Sequence, residues 1–359
     1  MSIDHLLTEY ELGSLTMRNR FVMSPMTREQ SPDGIPKLQV ADYYRRRAAS
    51  VGLVITEGTY IPEQSAGVSN DVPHLYGDSA LASWSSVVEA VHSVGGAIAP
   101  QLWHRGPARR EGAPPYPEAP VISPSGIDLD GNPYGETIDA STKDRLIEAY
   151  VGAALNAQSI GFDGVELHGG HGFLLDSFLW TRTNQRQDSY GGDPASRARF
   201  ATEVVAAIRA ATKPGFPIIF RFSQWKLNDY EARIAETPQE LEQLLTPIAN
   251  AGVSAWDVSA RRHWNPAFVG YPDSLATWTR RVTGVTTIAV GSVGLDEGPD
   301  ALFEGPGLEE LDAAVARDEF QLVGVGRSLL SDPDWVVKVS QGNFEEIRAY
   351  RKEHELEYF

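Results

Sequence analysis

The feature that most constrains the fold is an alternation of short apolar runs, rich in β-branched residues, with longer amphipathic stretches, and it occurs eight times. The apolar runs cover residues 20–26, 52–59, 97–103, 161–168, 217–222, 252–258, 286–291 and 321–326. The helical patterns between them include residues 41–50, 81–93, 142–159, 195–212, 238–251 and 308–316. An alternation of this kind predicts parallel strands joined by crossover helices.

Eight such units are the number that closes a barrel, so the sequence predicts an α/β fold in which residues 1–359 form a single-domain (β/α)8 TIM barrel. An open doubly wound sheet is the alternative, but a sheet of that kind typically has a glycine-rich phosphate-binding loop after its first strand. Met26 is followed by Thr27-Arg28-Glu29-Gln30 instead.

Two segments lie outside the alternation. Residues 6–17, with Gly13 at a turn, predict an N-terminal hairpin that closes the amino-terminal end of the barrel. Residues 106–136 are rich in proline and glycine and follow the third strand. A loop of this length at the carboxyl end of a barrel strand is typical of a functional lid or wall.

The composition excludes several classes of function. The chain has 359 residues, of which 42% are hydrophobic, and its formal charge of −17 repels nucleic acid and anionic membrane surfaces. It contains no cysteine, which excludes disulfides, thiolate-held iron–sulfur clusters and cysteine nucleophiles. The start of the chain lacks a signal-peptide pattern, and no stretch reaches membrane-spanning length. We therefore expect a cytoplasmic protein, either monomer or homodimer, whose partners are small molecules.

The most informative turn follows the fourth apolar run, where residues 164–173 read Gly-Val-Glu-Leu-His-Gly-Gly-His-Gly-Phe. The glycines allow the backbone to turn sharply and to approach a ligand closely. His168 and His171 would then emerge together at the carboxyl end of a barrel strand and donate two hydrogen bonds to one substrate oxygen. Zinc binding is the weaker interpretation, because metalloprotease histidines lie four apart on a helix with a glutamate between them. The third interpretation is structural, in which the histidines cap the next helix.

The other strand ends also carry polar or small residues. They are Ser24-Pro25-Met26-Thr27-Arg28, Glu57-Gly58-Thr59, Gln101-Leu102-Trp103-His104-Arg105, Arg221-Phe222-Ser223, Gly291-Ser292-Val293-Gly294 and Gly324-Val325-Gly326-Arg327. The last two sets combine small residues with an arginine, where barrels commonly bind a phosphate. Donors around a flat space, with a phosphate site at one side, describe a pocket for flavin mononucleotide (FMN).

This set closely resembles the Old Yellow Enzyme family of FMN-dependent ene reductases. The resemblance extends from Asn19-Arg20 to Arg327 and includes the family's stretch after the fourth strand. The matching residues in that stretch are Asn184, Arg186, Asp188, Tyr190, Gly191, Gly192 and Arg199. Thr27, in a chain without cysteine, matches the branch of the family that has no cysteine near the flavin.

The resemblance implies a set of flavin-binding residues. They are Pro25, Met26, Thr27, Gly58, Gln101, Arg221, Gly291, Ser292, Gly326 and Arg327. Thr27 matches a hydroxyl that bonds the flavin ring, Gly58 a residue lying against the ring, and Gln101 an amide that reads the pyrimidine edge. Arg221 matches an arginine whose fixed charge stabilises the reduced flavin, and the last four residues match the phosphate cradle.

The chemistry of the family can also be argued from the histidines. Hydride addition to the β-carbon of an activated alkene puts negative charge on the oxygen of the electron-withdrawing group. Two neutral imidazole donors, His168 and His171, would stabilise that charge. The hydride would come through flavin N5 from NADH or NADPH bound earlier in the same pocket, so a ping-pong cycle is expected.

One position departs from the family. The family's tyrosine two places after the second donor, which protonates the α-carbon, is Phe173 here. A phenyl ring has no proton to give, so water or another side chain, such as Tyr60 or Tyr271, has to supply it, and Phe173 would then pack over the flavin. We expect slow or substrate-selective enone reduction and comparatively good turnover of nitroalkenes. Their nitronate product is stable long enough for solvent to protonate it.

The substrate side of the pocket is predicted to include two tryptophans. Trp103 matches a pocket tryptophan of the family, and Trp264 follows the sixth strand after Arg261, Arg262 and His263. The two arginines either form surface contacts or bind an acidic substrate or a nicotinamide phosphate.

The carboxyl-terminal segment, residues 342–359, does not show the family pattern. Its aromatic residues Tyr350, Tyr358 and Phe359 either pack internally or reach a neighbouring subunit.

The sequence thus predicts a metal-free oxidoreductase with non-covalent FMN that oxidises NADH or NADPH and reduces activated carbon–carbon double bonds or nitro groups. An FMN-dependent dehydrogenase or demethylase is one alternative, which the missing proton donor favours. The other is a flavin-free, phosphate-binding aldolase or isomerase, in which the histidines would be acid–base groups.

Overall fold

The computed structural model describes residues 3–295 and 307–358. Within these residues the strands are β1 (Tyr10–Leu12), β2 (Leu15–Met17), β3 (Phe21–Met23), β4 (Leu53–Tyr60), β5 (Ile98–Trp103), β6 (Ile122–Ser123), β7 (Glu136–Thr137), β8 (Val165–His171), β9 (Ile218–Lys226), β10 (Ala255–Ser259), β11 (Thr286–Val290) and β12 (Leu322–Val325). The helices are α1 (Leu38–Ala48), α2 (Asp78–His92), α3 (Ala140–Ser159), α4 (Leu174–Leu179), α5 (Pro194–Ala211), α6 (Pro238–Asn250), α7 (Leu275–Thr283), α8 (Leu308–Ala316), α9 (Arg327–Ser331) and α10 (Trp335–Gln341).

Eight of these strands form a closed parallel barrel in the order β3-β4-β5-β8-β9-β10-β11-β12, which confirms the predicted (β/α)8 fold. Helices cover the outside of the barrel because their apolar residues recur at helical spacing. In α6, for example, the Thr237 hydroxyl caps the helix by accepting the Glu240 amide at 3.2 Å, and Pro238 occupies the first turn. Its buried apolar residues are Leu241, Leu244, Leu245 and Ile248. None of the described helices is long and apolar enough to span a membrane.

The predicted hairpin is confirmed at the amino-terminal end of the barrel. Strands β1 and β2 pair antiparallel, and Gly13 takes the positive φ of 61° that the turn between them requires. Leu12 and Met17 are buried in the same apolar cluster as Val22 and Ile288 of the barrel interior. The hairpin therefore seals the end of the barrel opposite the carboxyl ends of its strands.

Strand β8 was predicted too early in the chain. The expected strand ends at His168, whereas β8 begins at Val165 and includes His171. The backbone can continue beside β9 because Gly169 has no side chain: a Cβ there would lie 2.3 Å from Cε1 of Phe220. The pairing of β8 with β9 becomes irregular between Gly169 and His171, which aims the end of the strand into the barrel mouth.

The long segment after β5 contains the short parallel pair β6 and β7. Arg109 is buried and ties the segment together by donating to the carbonyl oxygens of Ala113 at 2.8 Å and Tyr116 at 2.6 Å. Leu129 packs on the turn after β8, since a Cβ at Gly172 would lie 2.8 Å from its Cδ2. The segment therefore forms a wall beside the histidine turn, as its position in the sequence predicts.

Candidate functional site

A cavity of about 480 Å³ opens at the carboxyl ends of the barrel strands. Its walls include residues predicted from the sequence, namely Pro25, Met26, His171, Arg221, Gly291, Ser292, Gly326 and Arg327. They also include residues that the sequence reasoning did not assign, among them Trp225, Ser259, Val290, Leu295 and Tyr350. The cavity thus joins the histidine turn after β8 to the glycine-rich turns after β11 and β12.

His171 lines one end of this cavity, and His168 lies directly beside His171 without lining the cavity itself. Their ring centroids are 5.0 Å apart and their planes are nearly perpendicular, at 87°. His171 has a positive φ of 65°, which is uncommon for a residue with a side chain. This backbone is held by the hydrogen bond from its amide to Oγ of Ser223, at 2.9 Å. Helix α4 begins after Phe173 without a side-chain cap, so neither histidine serves as a helix cap.

Both imidazoles are neutral at physiological pH. Burial lowers the pKa of His168 and of His171 well below the ordinary histidine value, and the nearby Arg221 guanidinium lowers both further. His171 Nε2 lies 2.9 Å from Oγ of Ser259, and its ring stacks on Trp225 with centroids 4.1 Å apart. A neutral imidazole carries one N–H, so the pair can offer two donors to a ligand atom without carrying charge.

Phe173 packs against the other face of the pair. Its ring lies edge-on to His168, with centroids 4.6 Å apart, and to Trp103, with centroids 5.1 Å apart. Trp103 can occupy this place because Gly58 has no side chain: a Cβ at Gly58 would lie 2.4 Å from Cε3 of the indole. Gly58 therefore contacts the tryptophan that shapes the histidine end of the site.

The two alternative proton donors lie elsewhere. The Tyr60 hydroxyl accepts the Val68 amide at 2.9 Å, and Tyr271 packs on Trp278 with ring centroids 5.2 Å apart. Neither lines the cavity. Of the described tyrosines, Tyr350 lines the cavity, and it lies beside Arg327 at the end away from the histidines.

The opposite end of the cavity is built from small residues and one arginine. Gly291 and Ser292 both have positive φ, 149° and 57°, and a Cβ at Gly291 would lie 2.6 Å from the carbonyl oxygen of Ala260. Arg327 begins α9 and places its guanidinium 5.3 Å from the ring centroid of Tyr350. Close backbone approach and a partly exposed cation are the features of an anion site.

Between the two ends, buried polar groups meet in the barrel interior. The Gln101 amide donates to Oε1 of Glu166 at 2.7 Å. Arg221 forms an ion pair with Asp257 at 3.3 Å and donates to Oγ of Ser259 at 3.2 Å. The sequence assigned roles to Gln101 and Arg221 but not to the carboxyl groups that hold them.

The turn after β3 is held by a buried carboxyl group. Glu57 of β4 accepts the backbone amides of Arg28 at 2.8 Å and Glu29 at 3.0 Å. Burial raises the pKa of Glu57 to about 7, although these two amides oppose the change. Thr27 itself is exposed, so its hydroxyl is accessible to a ligand.

The segment after β10 behaves differently from the prediction. The His263 amide donates to the carbonyl oxygen of Gly291 at 3.2 Å, which turns the chain away from the histidine pair. Trp264 lines a separate cavity of about 440 Å³, so its role in substrate binding stays a prediction. Arg261 does reach the main cavity and covers the ring of Tyr230 at 4.1 Å.

The carboxyl-terminal segment packs on its own barrel. Tyr350 lines the cavity beside Arg327, and Tyr358 stacks on Tyr43 with ring centroids 4.5 Å apart. Phe359 lies outside the described residues. Strand-end signals could not have found Tyr350, which comes from a segment far along the chain.

Other missed residues had a signal in the sequence. Ser259 directly follows the predicted sixth strand, and Trp225 lies three residues beyond the predicted end of the fifth. Both lie inside observed strands because β9 and β10 end later in the chain than predicted, at Lys226 and Ser259.

The match to known proteins covers nearly the whole chain. Residues 5–346 match the model of the NADH:flavin oxidoreductase / NADH oxidase family. The chain is 34% identical to an NADH oxidase of Thermoanaerobacter brockii over 96% of its own length, and it spans only 52% of that relative. Its fold matches morphinone reductase in complex with tetrahydroNAD, with a TM-score of 0.78, 27% identity and coverage of 99% of this chain and 97% of that one.

The fold also matches Old Yellow Enzyme from Pichia sp. AKU4542, with a TM-score of 0.82, 24% identity and coverage of 99% of this chain and 91% of that one. These matches confirm the resemblance predicted from the strand-end motifs. The chain belongs to the NADH:flavin oxidoreductase / NADH oxidase family, which includes the Old Yellow Enzyme type of barrel.

Proposed function

We propose that this protein is an FMN-dependent NAD(P)H oxidoreductase that reduces activated carbon–carbon double bonds or nitro groups. The observation that carries the proposal is a cavity lined by Arg327 and by the buried, neutral His171, which lies beside a second buried, neutral histidine, His168. A cavity with an anion site at one end and two uncharged donors at the other suits a phosphate-bearing cofactor and an electron-withdrawing substrate.

The residues that line the cavity fit FMN. Gly291, Ser292, Gly326 and Arg327 would hold its phosphate, because they combine close backbone approach with a cation. Arg221 lies between the two ends, and its buried Nε has no partner among the described residues, so it is available to the flavin ring. Pro25 and Met26 on the turn after β3, with the exposed hydroxyl of Thr27, would cover the ring from one side.

When bound, FMN supplies the group that accepts hydride from NADH or NADPH and passes it to the substrate. His168 and His171 bind the oxygen of the substrate's carbonyl or nitro group and donate to it more strongly as negative charge grows there. A donor of this kind is worth roughly 3 kcal/mol of barrier. The fixed backbone of His171 and its stacking on Trp225 keep that donor in place before the substrate arrives.

Phe173 excludes water from the histidines but cannot donate a proton. Its ring fills the place beside His168 that would otherwise admit solvent. Protonation at the substrate carbon then depends on water entering from the open side of the cavity. Substrates whose product anion is long-lived, such as nitroalkenes, should therefore be reduced faster than simple enones.

The first experiment is an anaerobic visible titration of the purified protein with a para-substituted phenol and, separately, with NADH or NADPH. A long-wavelength charge-transfer band with phenol and bleaching with nicotinamide are expected. His171→Ala should weaken phenol binding by on the order of 100-fold while the flavin still bleaches. His92→Ala is the control, since His92 is exposed and pairs with Asp163 on the surface.

Two results would contradict the proposal. A flavin that bleaches but gives no band with phenol would show that the histidines do not form an anion site. Protein that retains no flavin after reconstitution with FMN would remove the cofactor assignment itself.

The phosphate assignment has its own test. Arg327→Gln should weaken FMN binding by on the order of 10-fold or more, because it removes a charge-assisted contact to phosphate. Arg317→Gln is the matched control, because Arg317 is exposed and pairs with Glu319 in the turn after α8. Equal FMN affinity of both variants would place the phosphate elsewhere.

A further inference from the structure

Two carboxyl groups are completely buried in the barrel beneath the cavity. Glu166 of β8 and Asp257 of β10 both have no exposed surface. They flank β9 on either side, where Arg221 pairs in register with Asp257. Neither carboxyl group has a role in the function proposed above, yet each lies one hydrogen bond from a residue predicted to bind the flavin.

The two carboxyl groups have partners of different charge. Asp257 receives the Arg221 guanidinium at 3.3 Å, whereas Glu166 receives only the neutral Gln101 amide at 2.7 Å. One oxygen of each, Oε2 of Glu166 and Oδ1 of Asp257, has no donor from the described residues. The two carboxyl groups are close enough to hydrogen-bond to each other, so a single proton between them would satisfy both.

The charge balance decides where that proton is. Two buried carboxylates next to one guanidinium would leave an uncompensated negative charge in a low-dielectric interior, which is costly. A proton on one of them removes that charge. Because Asp257 is the one paired with the Arg221 guanidinium, it stays ionised, and Glu166 is the group that holds the proton.

We infer that Glu166 is a neutral carboxylic acid that donates a hydrogen bond to Asp257, and that this pair sets the charge beneath the flavin. Burial and the charge of Asp257 raise the pKa of Glu166 against the opposing effect of Arg221. Burial also raises the pKa of Asp257, and Arg221, its direct ion-pair partner, opposes that change. The group Glu166–Asp257–Arg221 therefore sums to zero charge. If Glu166 ionised, the sum would become −1 and FMN reduction would be disfavoured.

Glu166 is thus a positioning residue that acts through two others. Its proton fixes Asp257, which holds Arg221, and its remaining oxygen fixes the amide of Gln101. Both Arg221 and Gln101 are assigned here to the flavin, so the effect on the cofactor rests on the proposed function. The protonation state of Glu166 itself does not depend on whether FMN binds.

The first test therefore needs no flavin. The infrared spectrum of the folded protein minus that of Glu166→Gln should contain a carboxylic-acid C=O stretch that shifts on exchange into D₂O. Other protonated carboxyl groups, such as Glu57, cancel in this difference. The stretch should also disappear in Asp257→Asn, because Glu166 would then ionise beside Arg221. Absence of the band from this difference, or its persistence in Asp257→Asn, would overturn the shared proton.

The second test is the reduction potential of bound FMN, measured by equilibration with a redox dye. Glu166→Gln should leave the potential unchanged at neutral pH, because it replaces one neutral group by another. The double variant, with Asp257→Asn added, should shift the potential upward, because Arg221 is then uncompensated. An upward shift in Glu166→Gln alone would show that Glu166 is ionised. Loss of flavin from the unmodified protein would instead contradict the proposed function and leave the infrared result standing.

Discussion

The buried ion pair between Lys226 and Asp176 is expected to hold the histidine turn. Both side chains have no exposed surface, and Lys226 Nζ lies 2.8 Å from Oδ2 of Asp176. That same oxygen accepts the Gly172 amide at 2.7 Å, and His171 pairs with Lys226 across β8 and β9. We predict that Lys226→Met, which keeps most of the side-chain volume, destabilises the fold and loosens His171.

The magnitude follows from the burial of both partners. Removing one partner of a buried pair leaves an uncompensated charge and costs roughly 3–5 kcal/mol. Asp176 would keep the Gly172 amide, so the lower part of this range is expected. Adding Asp176→Asn removes the remaining charge, and the double variant should therefore recover much of the loss.

The loss should also depend on pH. Burial raises the pKa of Asp176, and Lys226 is the main group that opposes this change. Without Lys226 the folded-state pKa lies further above the unfolded value of 3.8. Such a group contributes stability that is present below the unfolded pKa and is lost as pH rises through the folded pKa. The deficit of Lys226→Met should therefore grow from acidic to alkaline pH.

The assay is denaturant unfolding of the chain, the single variants and the double variant at mildly acidic and mildly alkaline pH. Arg199→Met is the control, since Arg199 is exposed and pairs with Glu203 at the surface, where an ion pair contributes little to stability. The reasoning is refuted if Lys226→Met costs no more than this control, or if the double variant loses the sum of both single losses. Weaker phenol binding by the Lys226→Met variant would connect the pair to His171.

Three further outcomes follow from particular contacts. Burial raises the pKa of Glu57 from 4.5 to about 7. The contribution of its protonated carboxyl group to the free energy of unfolding is therefore present below pH 4.5 and is lost as pH rises to about 7. This loss amounts to about 3 kcal/mol, and it should be absent when the free energy of unfolding of Glu57→Gln is measured against pH. The same pH dependence in the variant and the unmodified chain would contradict this assignment. Phe173→Tyr should speed enone reduction more than nitroalkene reduction in steady-state assays, and equal effects would show that protonation does not limit either. Gly58→Ala should displace Trp103, whose Cε3 would lie 2.4 Å from the new Cβ, and so lower both Tm and phenol affinity; unchanged values would mean that the indole moves at no cost.

The barrel and the location of the site could be predicted because both depend on local patterns. Eight apolar runs specify eight buried strands, and parallel strands bring their carboxyl ends to one rim. Site residues predicted from five of these ends line one cavity, including His171, Arg221 and Arg327. The order of the strands required no further information, since neighbouring βα units pack side by side.

The lengths of strands and the paths of loops were less predictable. The expected fifth strand ends at Phe222, but β9 continues to Lys226 because its outer residues pair with the end of β8. The extension brings Trp225 onto His171. The path after β10 depends on the His263 amide bonding to Gly291, a contact between distant segments that no local pattern shows.

The sequence also indicates the buried charges beneath the site, but they lie inside the strands and not at the strand ends on which the site prediction was based. Glu166, Arg221 and Asp257 each interrupt an otherwise apolar run that the fold requires to be buried. A buried charge needs a partner, and in a barrel with consecutive neighbours the fourth, fifth and sixth strands are adjacent, so two carboxyl groups and one guanidinium must meet. The contact among these three groups, in which one guanidinium faces two carboxyl groups, therefore follows from strand order alone. The partnership of Lys226 with Asp176 does not, because it needs the extended end of β9 and the short helix α4, both of which only the tertiary packing determines.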